Sequence, residues 1–369
     1  MAKVFITGGT GQVGSHLASY LVKEKLLNIE NPEDVICLVR NPQKAEHLKS
    51  LGVTLIEGDL QDSDTISEVM ENGIDFVFHV AANCLLNQSY RQMYVPNVLG
   101  TRIMLDAFVK SKAKCFIYTS SIAVYASFLG RKRLERIDEN SLLGNLKGEP
   151  YPVSKRIAEG LVHYYKEKYP EKTFITTRLG PVIGAGDKMT IPSLVNIMAY
   201  RFLPKLINGG RDLFSVTSPL DVDKAQVFLA NIGHNINGDV FNVANDSVTY
   251  RHMSTVIAEY YNRKPSTFSI KYWIFKLLLP TLRFFKKLFP GIKLLHTATS
   301  PIAINYIGKS FIYNSNKLKK LGFEFTVQAR DAIIECLKDL DPDKKLVKQG
   351  KKSRFIDENK MEISNPINN

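Results

Sequence analysis

Cysteine is scarce in this 369-residue chain, and its four thiols (Cys37, Cys84, Cys115 and Cys336) lie far apart with no CxxC pair. That spacing excludes a dense disulfide framework and offers no zinc-ligand set. Free thiols in a reducing compartment, the cytoplasm by default, and no bound metal are the expectation. A charged leader followed by an apolar run is also missing, because Met1-Ala2-Lys3 passes straight into Val4-Phe5-Ile6. No secretory signal is read there. Acidic residues are absent from one long stretch. Between Glu259 and Glu324 there is no Asp or Glu, but there are twelve Lys or Arg, close to the whole net charge of +13. The basic balance is therefore local, and it implies no nucleic-acid partner.

What is present is ordinary globular material, 44% hydrophobic and 23% charged, which argues against disorder. Short apolar runs at Lys3–Thr7, Val35–Val39, Thr54–Glu57, Phe76–Val80 and Cys115–Tyr118 alternate with amphipathic stretches. That alternation predicts βαβ units and a parallel sheet. Ser15–Lys25, Asn97–Lys110 and Tyr151–Tyr169 read as helices, and Phe174–Thr177 as a sixth strand. Val240–Val243 and Ser310–Tyr313 read as later strands. The expected fold class is α/β with a parallel sheet, followed after about residue 180 by a more irregular lobe. Residues 1–180 form the sheet domain, with strands contributed from about 238–245. Residues 181–340 form the lobe, and 341–369 are a polar, mobile tail.

The strongest local signal is Thr7-Gly8-Gly9-Thr10-Gly11-Gln12-Val13-Gly14, between the first strand and first helix. Gly8 belongs to this turn, Gly11 admits a pyrophosphate close to the backbone, and Gly14 lets helix pack on strand. Gln12 and Val13 open the helix, whose free N–H groups and dipole favour phosphate. The second strand ends Cys37-Leu38-Val39-Arg40 with no Asp or Glu to hold a ribose 2′-hydroxyl. Arg40, assisted by Lys44, can pair with a 2′-phosphate, so NADP(H) is expected over NAD(H). The alternative for Arg40 is an ordinary solvated arginine.

Six motifs then follow in order: Thr7–Gly14, Gly58-Asp59-Leu60, His79-Val80-Ala81-Ala82, Asn97-Val98-Leu99-Gly100-Thr101, Tyr118-Thr119-Ser120-Ser121 and Tyr151-Pro152-Val153-Ser154-Lys155. Over about residues 1–260 the chain resembles the extended short-chain dehydrogenases/reductases, the NAD-dependent epimerase/dehydratase family. The resemblance implies an oxidoreductase on a Rossmann-type doubly wound parallel sheet, with residues 1–180 the dinucleotide-binding domain and 181–340 a small C-terminal substrate-binding lobe. It also implies that Asp59 and Leu60 contact the adenine, that Ala81 and Ala82 line the dinucleotide path, and that Pro181 lies beside the cofactor. Lys155 would bond the nicotinamide ribose, and Ser121 would hold the substrate oxygen, with Ser120 a close competitor.

The chemistry also follows from residue types. Reducing a carbonyl requires a proton for the developing alkoxide. Free tyrosine, with a pKa of about 10, is a poor acid at neutral pH, and a nearby ammonium lowers it. Tyr151 and Lys155 lie four apart on a predicted helix, hence on one face. His79 and Arg178 read as structural, and Asp221 and Asp223 as helix caps.

For the substrate, the informative residue is Pro181. Nucleotide-sugar members of the resembled family usually carry Asn there, and Pro has no side-chain donor. The pattern is closer to dihydroflavonol-reductase-like and 3β-hydroxysteroid-dehydrogenase-like members, implying a small hydrophobic substrate. The basic amphipathic segment 272–295 is interrupted by Lys276, Pro280, Arg283, Lys286 and Lys287, so it should not span a bilayer. It can lie in a membrane interface or cover the lobe; both readings stand. The helices near 97–110 and 151–169 would mediate a homodimer by resemblance. Two other functions remain open, a nucleotide-sugar epimerase/dehydratase and a non-catalytic NADPH-binding regulator.

Overall fold

A computed structural model describes residues 1–85, 88–125, 134–144, 146, 149–199, 206–292, 295, 298–299 and 310–347. The chain divides into two compact units. One comprises residues 1–182, 215–247 and 311–328; the other comprises 183–214, 248–310 and 329–369.

The first unit is built on seven strands: β1 (Val4–Thr7), β2 (Val35–Val39), β3 (Thr54–Glu57), β4 (Phe76–His79), β5 (Cys115–Ser121), β6 (Thr173–Leu179) and β7 (Val240–Val243). Their order is β7-β6-β5-β4-β1-β2-β3, every pair parallel. Side chains alternate faces along a strand. Val4, Ile6, Phe78, Ile117 and Ile175 therefore enter one core layer, against Leu17, Ala18 and Leu21 of α1 (Gln12–Glu24). Phe5, Val77, Phe116 and Phe174 enter the opposite layer. There they meet α2 (Ser63–Glu71), α3 (Gly100–Lys110) and α4 (Pro150–Lys168), which contribute Ile66, Met104, Phe108, Ala158 and Val162. Helices on both faces make the sheet doubly wound, as expected. The strand order reverses between β1 and β4, where such folds take their ligands, beyond the carboxyl ends of the strands.

Several expected boundaries move. Strands β5 and β6 run on to Ser121 and Leu179, past the end of their apolar runs. Polar residues are stable there because partners exist. Thr119 accepts from Gln226 at 2.8 Å, and Thr177 donates to the Tyr118 carbonyl at 3.3 Å. The helix expected from Asn97 starts earlier, as a turn over Tyr90–Tyr94 followed by a π-helical turn over Val95–Leu99 that leads into α3.

Asp221 and Asp223, expected as helix caps, are not caps. Ser218 caps α5 (Pro219–Asn231). Asp221 instead accepts from the backbone N–H groups of Thr326 (2.8 Å) and Val327 (3.2 Å), and Asp223 pairs with His16 of α1.

In the second unit, Asp187 accepts backbone N–H groups of Met189, Thr190 and Ile191 at the start of the helix Thr190–Ala199. The amphipathic segment forms α6 (Tyr272–Leu288), which continues through Pro280. Pro280 is exposed, so the backbone bond it forfeits leaves a carbonyl that water can reach. Among the described residues no helix is long and apolar enough to cross a membrane. Residues 341–347, read from sequence as the start of the tail, are held. Asp341 accepts from Lys345 (2.8 Å) and Leu346 (2.7 Å) N–H groups, and its carbonyl accepts from Tyr260 (2.9 Å). The rest of that tail, from 348, lies outside the described residues.

Candidate active site

The glycine turn closes against β4. Gly8 has φ +81°, and a Cβ on it would stand 2.9 Å from both the N and Cα of Ala81. A Cβ on Gly14 would lie 2.4 Å from the Gly8 carbonyl oxygen, so α1 can seat on the turn only without one. The Gly11 N–H donates to that same oxygen at 2.9 Å. Gly11 is the N-cap of α1, and no side chain caps the helix. The free N–H groups, the dipole and the close backbone approach fit a pyrophosphate. Gln12 and Val13, partly exposed, flank this cradle.

At the end of β2, Arg40 and Lys44 are exposed. Neither side chain forms a hydrogen bond or ion pair with the described residues. Asn41 holds the following turn by accepting from Gln43 N at 3.0 Å. Asp59 is exposed and accepts from Gln61 N at 3.1 Å. Leu60 is buried against Gly100, where a Cβ would meet it at 2.8 Å. Ala81 and Ala82 are partly exposed at the end of β4.

Beneath this path runs a hydrogen-bond chain that sequence reasoning had not assembled. The Ala81 N–H donates to Thr7 Oγ1 (3.2 Å), which lies 2.8 Å from His79 Nδ1. His79 Nε2 lies 2.9 Å from Thr101 Oγ1, and that hydroxyl donates to the Asn97 carbonyl at 2.7 Å. Thr101 thus spends its proton on Asn97, so His79 must be protonated at Nε2 and accept from Thr7 at Nδ1. Burial, with Lys155 adding repulsion, holds the imidazole pKa down to about 3, so the ring stays neutral. This places His79 as a structural residue.

Asn97 has a role that the sequence reading missed. The π turn carries it inward, fully buried. Its amide donates to the Asn83 carbonyl and to Ser154 Oγ, both at 2.9 Å, and its oxygen accepts from Asn83 N at 2.7 Å. It therefore ties the loop after β4 to α4. The available signal was a lone amide in the apolar run Val95-Pro96-Asn97-Val98-Leu99.

Tyr151 and Lys155 share the inner face of α4, with Ser121 at the end of β5. Lys155 is almost wholly buried and donates to the Thr119 carbonyl at 2.7 Å, its ammonium 4.8 Å from the centre of the Tyr118 ring. Burial draws its pKa down to about 8, against the opposing pull of Cys84 and Glu159. The Tyr151 hydroxyl is pushed well up by burial and by Cys84, while a hydrogen bond with Ser121 draws it down. The lowering expected from the Lys155 ammonium is thus not found, and burial raises the phenol instead. Ser121 is partly exposed and accepts from Ala123 N at 3.2 Å. Ser120 is buried, its hydroxyl without a partner among the described residues. Of the two serines, only Ser121 is accessible.

The middle of α4 is clamped. Arg178 of β6 grips Glu159 through two parallel bonds, Nε–Oε1 at 3.0 Å and Nη2–Oε2 at 2.7 Å. Its guanidinium also lies 4.7 Å from the Tyr125 ring centre. Glu159 follows Tyr151 and Lys155 at the same four-residue spacing, so the clamp fixes the face they present. Pro181 leaves β6 with its carbonyl accepting from Thr217 N at 3.0 Å.

The profile of the NAD dependent epimerase/dehydratase family matches residues 4–244. A Stigmatella aurantiaca protein named 4-hydroxy-2-methyl-3-oxo-4-farnesyl-3,4-dihydroquinoline-1-oxide ketoreductase is 30% identical, over 70% of this chain and 72% of its own. An Arabidopsis thaliana 3beta-hydroxysteroid-dehydrogenase/decarboxylase (isoform 2) is 27% identical, over 60% of this chain and 40% of its own. The chain spans about half the length of several further curated relatives. Among solved structures, UDP-glucuronic acid 4-epimerase from Bacillus cereus in complex with NAD superposes with a TM-score of 0.71 at 20% identity. That match covers 94% of this chain and all of the other, and it speaks for the fold alone.

Proposed function

This chain belongs to the NAD dependent epimerase/dehydratase family, and we propose that it is an NADPH-dependent reductase of a keto group on a hydrophobic substrate, or the reverse alcohol dehydrogenase. A sterol, isoprenoid or acyl compound fits this reading. The observation that carries the cofactor choice is the end of β2, where exposed Arg40 stands in place of a carboxylate, with Lys44 beside it. Pro181 supports the substrate class, since it removes the side-chain donor that a nucleotide diphosphate would use. A ketoreductase relative whose named substrate bears a farnesyl group is consistent with it.

Gly8, Gly11 and Gly14 with the start of α1 would hold the pyrophosphate. Arg40 and Lys44 would hold the 2′-phosphate, Asp59 and Leu60 would flank the adenine, and Ala81 and Ala82 would line the path. Bound NADPH supplies the hydride. Ser121 donates a hydrogen bond to the substrate oxygen and keeps it against Tyr151. The Tyr151 hydroxyl delivers its proton as the oxygen becomes an alkoxide. Lys155 stabilises the phenolate left behind, since an ammonium favours the charged form of its neighbour. Burial of both groups strengthens that attraction by excluding water.

The test is NADPH oxidation with a panel of lipophilic ketones, beside UDP- and dTDP-sugars. Turnover of a ketone with NADPH, abolished in Tyr151→Phe while cofactor still binds, is the expected result. Tightly held NAD with turnover of a nucleotide sugar would overturn the proposal. A biological role that survives Tyr151→Phe would replace it with a non-catalytic one.

A further inference from the structure

Helix α6 presents two apolar faces, one buried and one exposed. Phe275 and Leu279 are buried, while Trp273, Leu277, Phe284 and Leu288 are 65%, 73%, 59% and 54% exposed. Those four residues, spaced by four, seven and four positions, fall within an arc of about 60° at 100° per residue. Phe285 and Leu278, at 43% and 44%, widen the same face. Beside this arc, between it and the buried pair, run Lys276, Arg283 and Lys287, spaced by seven and four and all exposed. The helix start is fixed, because Tyr272 N donates to Asn208 Oδ1 at 2.9 Å. No Asp or Glu lies between Glu259 and Glu324 to neutralise this region.

An exposed aromatic and aliphatic strip of this size is a docking surface, since soluble monomers rarely present one. We infer that α6 docks this protein in the plane of an anionic phospholipid surface. Trp273, Leu277, Phe284 and Leu288 enter the headgroup–acyl boundary, and the three cations contact the acidic headgroups. Charge selects this occupant. A second copy of the same face would bring like charges together, whereas an acidic membrane complements them. Aromatic side chains and cations on flexible stems are the residues that favour such an interface. Pro280 removes a backbone hydrogen bond on the exposed side, which water and headgroups tolerate better than a bilayer core would. The inference does not depend on the reductase reading. If that reading holds, a lipophilic ketone dissolved in the bilayer is at hand.

The test is sedimentation of the full chain with phosphatidylcholine vesicles, with and without phosphatidylserine, at low and high salt. The expected result is binding to the anionic vesicles that weakens with salt. Each of Lys276→Gln, Arg283→Gln and Lys287→Gln should weaken it about fivefold. Leu277→Gln with Phe284→Gln should remove it. Both positions are exposed, and an unchanged circular-dichroism spectrum and Tm report that the fold is intact. No binding by the wild-type chain, or equal binding by the cation variants, overturns the inference. So does concentration-dependent dimerisation that Leu277→Gln/Phe284→Gln abolishes, because the face would then belong to a second copy. Vesicle binding is read without turnover, so it stands or fails apart from the reductase proposal.

Discussion

Replacing Gly8 with alanine imposes two separate costs. At φ +81° an L side chain is strained by about 1–2 kcal/mol. The new Cβ also falls 2.9 Å from two backbone atoms of Ala81, whereas ordinary contact begins at 3.4 Å. The residues just before, Thr7 and His79, are paired in register, so β1 and β4 cannot part without losing that pairing. Overpacking of this kind costs about 1–3 kcal/mol. Together the two costs amount to about 2–5 kcal/mol, or a Tm lower by roughly 4–20 °C for a unit of this size. Gly73→Ala separates them, because Gly73 has φ +78° but open space around its Cβ position. That variant should show the strain alone and keep its NADPH affinity. Gly8→Ala should in addition bind NADPH at least about tenfold more weakly, the worth of one charge-assisted hydrogen bond. Differential scanning fluorimetry and NADPH fluorescence titration measure both effects. A Gly8→Ala protein that melts like Gly73→Ala and binds NADPH like wild type would refute the reasoning.

Other outcomes follow from the buried charges. The His79 pKa is held down to about 3, so below pH 6.5 the unfolded chain takes up a proton that the folded one refuses. Relative to His79→Gln, the wild type should lose about 2 kcal/mol of stability between pH 7 and pH 5, read by urea unfolding; parallel curves would exclude the neutral ring. Lys155 keeps its ammonium below about pH 8 and loses it above. NADPH affinity should therefore fall as pH rises through that value, and Lys155→Arg should flatten the profile. An unchanged wild-type slope would contradict a role for the ammonium. Arg178→Met strands the nearly buried Glu159 carboxylate, which should cost about 3–5 kcal/mol by chemical denaturation. Recovery in Arg178→Met/Glu159→Leu would confirm that the unpaired charge is the cause, and no loss in the single variant would deny the clamp.

Where apolar periodicity governed, the sequence and structure agree closely. Strands β2, β3 and β7 occupy the runs read for them, and α4 is displaced by a single residue at each end. A buried parallel strand is a continuous apolar run, and nothing competes with that signal. The reading weakens where polar residues are stabilised by distant partners. The polar ends of β5 and β6 depend on Gln226 and on each other, and Asp221 finds Thr326 more than a hundred positions away. Asn97 was visible as part of a motif, but its function depends on a π turn that no helical period announces. Composition showed the basic character of 272–295, while the exposed apolar face of α6 appears only when burial assigns Phe275 and Leu279 to the inner side. Tyr151 is the instructive case. Its spacing to Lys155 was legible, but the phenol is raised by burial, which no spacing reports.

The most direct measurement is a titration of the purified protein with NADPH and with NADH, in wild type and in Arg40→Ala. The account predicts tighter NADPH binding and a loss of about 10–100-fold for NADPH in the variant, the range of a charge-assisted phosphate contact, with NADH affinity unchanged. Equal affinities in the wild type, or a preference for NADH, would contradict the 2′-phosphate reading of Arg40 and return the chain to the nucleotide-sugar branch of its family.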